Sequence, residues 1–210
     1  MRATLTPKQK RGLQRRDTII KSAAEVFLKN GYEHTSVDAI VALSGGSRRN
    51  IYEWFGNKDV LFEAVVKHLC DDLLISMSDH EFKSDDPEET LRIFGRVFVE
   101  TLVSPPIIAL YRLVIGESYR FPALSRIFYE SAPGAVISQM ANFLTVCNNR
   151  GTLKVENPDL TARILVEMMK GDLHLKAVID PRPVGTKNIS ATVDHAVRIA
   201  LHGIKDEGAR

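Results

Sequence analysis

The sequence predicts an all-α fold. In one segment after another, apolar residues recur about every three or four positions, which is the period of one buried helix face. Alternation of apolar and polar residues, the pattern of a half-buried strand, is almost absent. Glycine, proline and asparagine clusters divide the chain into segments of helical length. The 210 residues are 44% hydrophobic, which is enough to build a core.

The first predicted helix begins at Thr6, which forms a capping box with Gln9, and ends at Gly31. Ile20 and Phe27 lie on its apolar face. The opposite face carries five cations: Lys8, Lys10, Arg11, Arg15 and Arg16. These side chains either follow the backbone or minor groove of a nucleic acid or simply keep the surface solvated.

Residues 35–58 read TSVDAIVALSGGSRRNIYEWFGNK, which are two short helical patterns joined by a Ser-Gly-Gly-Ser turn. Thr35 or Ser36 caps the first helix, because its hydroxyl can accept from a backbone N–H in the first turn. Gly45 permits a left-handed backbone, and Ser47 caps the second helix. Two helices that cross sharply at such a turn form a helix-turn-helix.

The second of these helices has an inward and an outward face. Ile51 and Phe55 lie four residues apart and face inward, which leaves cationic and hydrogen-bonding side chains outside. Arginine offers guanine a bidentate fork, and asparagine does the same for adenine. The predicted base-reading residues are Arg48, Arg49 and Asn50. The other predicted DNA-binding residues, mostly donors suited to phosphates, are Thr35, Ser36, Ser47, Tyr52, Trp54 and Lys58.

Charge is unevenly spread along the chain. Residues 1–58 carry 11 Lys and Arg against 5 Asp and Glu, and the remainder carry 17 against 21. A basic N-terminal part on an acidic body is the layout expected where one end meets a polyanion. A solvated charged face gives the same count, so charge alone does not decide between the two.

The rest of the chain continues as helices. Asn57 caps the fourth, which leads from the helix-turn-helix into the body. The remaining predicted helices run over 58–77, 88–103, 107–118 and 122–149, with a kink or break near Pro133-Gly134, and then begin near residues 158 and 187. The last one carries a continuous apolar stripe: Ile189, Val193, Ala196, Val197, Ala200, Leu201 and Ile204.

The sequence predicts no catalytic site, no metal and no cofactor. Cys70 and Cys147 are far apart and lack the spacing of a zinc site, and the histidines show no HExxH pattern. Neither a GxSxG elbow nor a GxxxxGK phosphate loop occurs. Reduced thiols fit the cytoplasm. No uncharged apolar run reaches the roughly 20 residues that span a bilayer, so no membrane is expected as a partner.

A set of residues between Ile19 and Leu69 matches one known family. They are Ala23-Ala24, Phe27, Gly31-Tyr32, Thr35-Ser36, Ile40, Ser44-Gly45, Ile51-Tyr52, Phe55, Asn57-Lys58 and Leu61-Phe62. Through them the chain resembles the TetR-type (tetracycline-repressor-like) transcriptional regulators. Gly46 and Arg49 depart from the family pattern, which more commonly has an apolar residue and a small residue at these positions.

The resemblance implies a homodimer that binds a palindromic double-stranded DNA operator near a promoter. It also implies that the dimer lets go of the operator, or more rarely binds it, when a small-molecule effector enters a pocket in the C-terminal domain. It implies a DNA-binding domain over residues 1–58 and a helical ligand-binding and dimerisation domain over residues 59–210. Tyr52 and Lys58 are similar to the family's phosphate-contacting Tyr and Lys.

Two sets of side chains are candidates for the roles of the second domain. Those that can line an effector cavity, or simply form core, are Phe98, Tyr111, Phe128, Phe143, Met168 and Met169. The resemblance implies that the last two helices pair with those of a second subunit, so the predicted interface residues are Ile164, Met168, Val193, Val197, Ala200, Leu201 and Ile204. On periodicity alone, the last stripe packs against its own core instead.

Three hypotheses of function remain. The first is a dimeric, ligand-responsive DNA-binding regulator that acts as a repressor. The second is a helical small-molecule carrier or enzyme with a structural basic N-terminus and without sequence-specific DNA binding. The third keeps DNA binding but has no effector. Salt-sensitive binding to its own upstream DNA separates the first from the second, and a cavity large enough for a ligand separates it from the third.

Overall fold

The computed structural model describes residues 6–78, 86–180 and 182–203. Within these ranges every regular element is an α-helix, which confirms the predicted fold class. The helices are α1 (Pro7–Asn30), α2 (Val37–Ser44), α3 (Arg48–Phe55), α4 (Lys58–Ser78), α5 (Pro87–Leu102), α6 (Pro105–Glu117), α7 (Pro122–Ser131), α8 (Pro133–Arg150), α9 (Pro158–Lys170), α10 (Leu173–Ile179) and α11 (Thr186–His202).

The predicted start of α1 is confirmed in detail. The hydroxyl of Thr6 accepts from the Gln9 backbone N–H at 3.3 Å, and the Gln9 side chain accepts from the Thr6 backbone N–H at 2.9 Å. This reciprocal pair satisfies two donors that the helix itself leaves open. Asn57 caps α4 as predicted, since its side-chain oxygen accepts from the Val60 N–H at 2.9 Å.

Three boundaries in the second half differ from, or sharpen, the sequence analysis. Pro105 does not end the preceding helix but begins α6, because proline lacks only an N–H that the first turn does not use. At Pro133 the long helix is broken into α7 and α8 rather than kinked. Three helices, not two, follow residue 157, because Gly171 takes a φ of 50° and ends α9 before α10 begins.

The described residues pack as two compact units. Unit 1 takes the chain up to Asp72 together with Ala109–Phe128, and unit 2 takes Leu73–Ile108 and the chain from Tyr129 onward. The units therefore do not follow the boundary after residue 58, because most of α4 and a later segment pack with the helix-turn-helix. The division into domains 1–58 and 59–210 stays a prediction.

The core of unit 1 is aromatic. The ring centroids of Phe27 and Phe62 lie 5.0 Å apart, and that of Tyr32 lies 4.9 Å from Phe62. Phe121, from the loop after α6, places its ring edge-on against Tyr32 at 4.8 Å. Such tilted and edge-on pairs are the favourable aromatic geometries. They fix the end of α1 and the start of α4, between which α2 and α3 lie in sequence.

The core of unit 2 is built by α5, α8, α9 and α11. Its fully buried members include Leu91, Met140, Met169 and Val193. Asp194 of α11 accepts from Arg96 of α5 at 2.9 Å, so an ion pair at the edge of this core joins the same two helices that pack inside it.

Among the described residues, no single helix is both long enough and apolar enough to cross a membrane. By length and composition alone, α5 and α6 taken together as a bent pair reach both limits.

Candidate nucleic-acid interface

The helix-turn-helix is formed by α2, the turn over residues 45–47, and α3. Gly45 takes the left-handed conformation (φ 65°, ψ 22°) that ends α2. Ser47 caps α3, its hydroxyl accepting from the Asn50 N–H at 3.2 Å. Ile51 and Phe55 are buried as predicted, so the opposite face of α3 is exposed.

Arg48 opens α3 and forms a two-point ion pair with Asp38 of α2. Its Nε–H donates to one carboxylate oxygen of Asp38, and its Nη2–H donates to the other. These hydrogen bonds lower the pKa of Asp38 and raise the pKa of Arg48. The Arg48 side chain keeps 64% of its surface exposed, so the paired guanidinium faces solvent.

Arg49 is held differently from its neighbour. Its Nε–H donates to Glu53 at 2.7 Å, a contact one turn along the same helix, and its side chain is 84% exposed. Asn50 is half-buried. The three predicted base-reading residues therefore lie in the first turn of one helix, but each has a different degree of constraint.

Most of the predicted phosphate contacts lie on the exposed surface around α3. Ser36 and Ser47 are exposed caps, and Tyr52 and Trp54 expose 49% and 37% of their surface. Lys58 is half-buried, with its Nζ 4.2 Å from the centre of the Tyr32 ring, and burial lowers its pKa.

Thr35 is a correction to the predicted site. Its side chain is buried, with only 2% of its surface exposed, and its hydroxyl donates to the Gly31 carbonyl at 2.7 Å. Ser36, not Thr35, caps α2 by accepting from the Ala39 N–H at 3.1 Å. Thr35 thus fixes the turn between α1 and α2 and is removed from the predicted DNA contacts.

Two acidic residues were missed by the sequence analysis. Asp38 and Glu53 place carboxylates beside the guanidinium groups of Arg48 and Arg49. The spacing of Glu53 from Arg49, four residues on one helix, was visible in sequence. The partner of Arg48 lies ten residues away on another helix, so only the crossing of α2 and α3 reveals it.

Two cations of the basic face of α1 pack on the helix-turn-helix. The Arg16 guanidinium lies 5.0 Å from the centre of the Phe55 ring. The Nη2 of Arg15 lies beside Gly46, where it would be 3.2 Å from a Cβ at that position. Arg15 thus occupies space that the apolar residue more common in the family would fill.

The predicted effector-lining residues are divided between the units. Phe98, Phe143 and Met169 belong to the buried core of unit 2, and Met168 packs against that core. Tyr111 and Phe128 lie in unit 1, where their ring centroids are 6.2 Å apart. Their role toward an effector stays a prediction.

The predicted interface residues of α9 and α11 separate into two sets. Val193 and Val197 are wholly buried in the core of unit 2, so they are removed from the predicted interface. Ile164 and Ala200 are exposed, and Leu201 is half-buried. Ile204 lies outside the described residues.

An open groove of about 460 Å³ lies between α9 and α11. It is lined by Met168, Ala191, Thr192, His195, Ala196 and Ile199. Ile164 lies one turn before Met168 on α9 and exposes 53% of its surface. Large apolar side chains therefore face outward beside this groove.

Cys70 and Cys147 are both buried free thiols, and burial raises the pKa of Cys70 to about 12. Across residues 6–78, 86–180 and 182–203, no group of three or more His, Cys, Asp and Glu side chains is placed to hold a metal ion.

Individual relatives share parts of the sequence or the whole fold. The transcriptional repressor NicS of Pseudomonas putida is 34% identical over 77 residues, which span 37% of this chain and 36% of that protein. A solved TetR-family regulator from Mesorhizobium loti has a TM-score of 0.83 at 24% identity, over 91% of this chain and 96% of its own. The flavonoid-responsive regulator FrrA has a TM-score of 0.77 at 28% identity, over 90% and 95%.

Family models match both halves of the chain. Residues 19–65 match the N-terminal model of the bacterial regulatory proteins of the tetR family. Residues 89–203, more than half of the chain, match the C-terminal domain of AefR-like transcriptional repressors. The first match contains the helix-turn-helix, and the second contains most of α5 and all of α6 to α11. The chain therefore belongs to the TetR family of bacterial transcriptional regulators.

Proposed function

We propose that the chain is a ligand-responsive transcriptional repressor that binds a palindromic operator as a homodimer and is released by a small-molecule effector. The observation that carries the proposal is the exposed first turn of α3, where two guanidinium groups stand on a helix fixed by buried Ile51 and Phe55. In a helix-turn-helix, the N-terminal residues of the second helix contact base edges in the major groove.

The proposed contacts follow from the exposed surface around α3. Arg48 and Arg49 read guanine, and Asn50 reads adenine. Phosphates on either side of the groove are held by Ser36, Ser47, Tyr52, Trp54 and Lys58. Phosphate contacts fix the position of the protein on the duplex, and base contacts supply sequence preference.

A second copy of the chain is the proposed partner of the α9–α11 surface. Leu160, Ile164 and Met168 lie four residues apart on α9, and the first two each expose 53% of their surface. Such a stripe beside the apolar groove supports an isologous interface. Its two-fold symmetry matches the two half-sites of a palindrome.

Effector binding is proposed to act through the start of α4. Lys58 begins this helix, and only two residues separate it from the end of α3. Phe121 of the α6–α7 loop packs on Tyr32 and, at 5.6 Å, on Phe62 of α4. A ligand that favours a different position of the segment Ala109–Phe128 would therefore displace α4 and α3. The name of FrrA, a flavonoid-responsive regulator, supports a small-molecule effector.

The sign of regulation and the compartment are also proposals. Repression is supported by the AefR-like repressor model and by the name of NicS. A regulator that binds chromosomal DNA acts in the bacterial cytoplasm, where the free thiols of Cys70 and Cys147 remain reduced. We further propose that the chain has no catalytic activity, in line with its family.

Selection from a random duplex library tests the proposal. The full chain is incubated with the library, bound duplexes are recovered, and binding to a recovered duplex and to its scrambled version is compared by fluorescence anisotropy over a series of salt concentrations. We expect a palindromic consensus with half-site centres roughly 34 Å apart and tighter binding to the selected duplex. Equal, salt-sensitive binding to both duplexes would contradict sequence reading, and no binding would contradict the function.

A further inference from the structure

The ion pair between Asp38 and Arg48 joins the first turns of α2 and α3. Asp38 is the second residue of α2, and Arg48 is the first residue of α3. Both ends of the pair are anchored, because Ser36 caps α2 and Ser47 caps α3. The Nε–H and one Nη2–H of the guanidinium donate to the two oxygens of one carboxylate. The plane of the guanidinium is therefore fixed, although it lies at the surface.

The ion pair with Asp38 leaves the terminal edge of the Arg48 guanidinium available for hydrogen bonds to a base. A guanidinium has five N–H donors, and the contact with Asp38 uses the Nε–H and one Nη2–H. Three N–H groups are not used by this contact, and two of them, one on Nη1 and the second on Nη2, lie parallel on the terminal edge. Guanine accepts two parallel hydrogen bonds at O6 and N7. Arg48 can therefore keep its contact with Asp38 while its terminal edge binds a guanine.

We propose that Asp38 is a specificity-determining residue that positions Arg48 to read one guanine in each half-site of the operator. The proposal rests on the proposed function, in which Arg48 reads bases. Because the rotamer of Arg48 is ordered before DNA arrives, less conformational entropy is lost when the base contact forms. The Asp38 carboxylate also repels phosphates, so it weakens contacts that would be made with any sequence.

The contact of Arg49 with Glu53 can be compared with that of Arg48 with Asp38, because both arginines lie in the first turn of α3. Arg49 contacts Glu53 through Nε alone, from the same helix, and its side chain is more exposed than that of Arg48. A single hydrogen bond leaves the guanidinium able to rotate about it. Glu53 thus contributes a negative charge to the same surface without fixing the plane of its partner.

Two matched variants separate positioning from charge. Asp38→Asn and Glu53→Gln each remove one negative charge from the α2–α3 surface. The probes are the duplex selected by the wild-type chain, a panel with each base pair of one half-site changed in turn, and a scrambled duplex. Discrimination at a base pair is the ratio of the dissociation constants for the changed and the selected duplex. Arg48→Ala first identifies the base pair at which discrimination depends on Arg48.

We expect Asp38→Asn to reduce discrimination at that base pair by about threefold to tenfold, to leave other base pairs unchanged, and to leave binding to the scrambled duplex equal or tighter. Glu53→Gln should leave discrimination at that base pair unchanged. Adding Asp38→Asn to Arg48→Ala should cause no further loss. Arg48→Lys tests the pair without altering α2: it keeps the charge but not the fork, and it should reduce the same discrimination.

Two results overturn the positioning role while leaving the proposed function intact. In the first, Asp38→Asn keeps full discrimination at the base pair that Arg48→Ala identifies. In the second, Asp38→Asn weakens binding to every duplex by one common factor, as damage to α2 would. A different result, in which Arg48→Ala leaves discrimination at every base pair intact, refutes base reading by Arg48 and with it the proposal.

Discussion

The ammonium group of Lys58 lies over the face of an aromatic ring. Its Nζ lies 4.2 Å from the centre of the Tyr32 ring, and the Tyr32 hydroxyl donates to Asp59. This cation–π contact holds the lysine at the start of α4, three residues after α3 ends. Lys58 is thus a positioned cation at the start of α4.

Replacing Lys58 by alanine should weaken binding to all DNA sequences alike. A phosphate contact carries no sequence information, so the selected and scrambled duplexes should lose the same factor, and the slope of log K against log salt should fall by about one per bound subunit. Fluorescence anisotropy over a salt series measures both quantities. Lys176→Ala, the same charge change in unit 2, should alter neither. A loss confined to the selected duplex would contradict the role of Lys58.

Replacing Thr35 by valine should reduce stability without affecting DNA contacts. The change keeps the shape of the side chain but removes the buried hydrogen bond to the Gly31 carbonyl, at a cost of about 1–3 kcal/mol in the free energy of unfolding. Urea denaturation measures this cost, and Thr35→Ser, which retains the hydroxyl, should recover much of it. Unchanged stability together with weakened DNA binding would restore Thr35 to the interface.

The sequence locates the DNA-facing side chains but not their partners. Helical periodicity turns Arg49 away from Ile51 and Phe55, which must be inside. It places Arg48 and Asn50 on the flanks of α3. In the structure the two arginines are exposed and Asn50 is half-buried. Periodicity cannot distinguish the two arginines, since the partner of Arg48 comes from another helix. It also cannot separate Thr35 from Ser36, because two adjacent hydroxyl residues both satisfy the capping pattern.

The helices of unit 2 approach one another closely at Gly95 of α5. A Cβ at this position would lie 2.6 Å from Cγ1 of Val193 on α11 and 3.1 Å from Sδ of Met169 on α9. No side chain fits at the first distance without movement of its neighbour. Gly95 therefore sets the separation of three helices, and Val193 fills this contact rather than an interface with a second chain.

Replacing Gly95 by alanine should destabilise the chain by about 1–3 kcal/mol through overpacking, even though alanine favours the helix by about 1 kcal/mol. Gly116→Ala in α6 is the matched control, because a Cβ there meets no atom within 4 Å. This control should be neutral or stabilising by up to about 1 kcal/mol. Urea denaturation of both variants gives the two free energies.

Replacing Val193 by alanine should partly restore the stability that Gly95→Ala loses. Combining Gly95→Ala with Val193→Ala should cost less than the sum of the two single changes, because the new methyl group enters the space that the valine leaves. Additive losses would show that the two positions do not share the contact.

Which segments form helices could be predicted from the sequence more completely than where those helices begin and end. The period of apolar residues locates α1 to α5 and α11, and capping residues place the starts of α1 and α4. The break between α9 and α10 depends on the positive φ of Gly171, which a glycine permits but does not require. Proline likewise permits a helix to end before it or to begin at it, so the start of α6 at Pro105 was missed.

At the scale of the whole molecule, dimerisation should depend on the outward face of α9. Ile164→Asp should shift the chain from dimer to monomer. The Ile164 side chain is exposed in the single chain, so an aspartate there would be solvated in the monomer and buried only where this face forms an interface. Sedimentation velocity measures the change. Val146→Asp on α8 introduces the same charge at another exposed apolar position and should leave the dimer intact. A dimer that persists in Ile164→Asp would contradict this interface.

The division of α11 between core and interface could not be settled from sequence. Its apolar stripe is wider than one packing surface, so Val193 and Val197 face the core while Ala200 is exposed. The resemblance to a dimeric family assigns such a stripe to the partner, and periodicity assigns it to the core. The structure of one chain separates the residues by their burial.

We propose that two copies of α3, held by one two-fold axis, read two half-sites on the same face of a duplex. Fluorescence anisotropy of the full chain on the selected palindrome, with about five base pairs inserted between the half-sites, tests it most directly, because roughly half a turn moves one half-site to the opposite face. We expect the affinity to fall toward that of a scrambled duplex. Affinity that is unchanged by the insertion would contradict it.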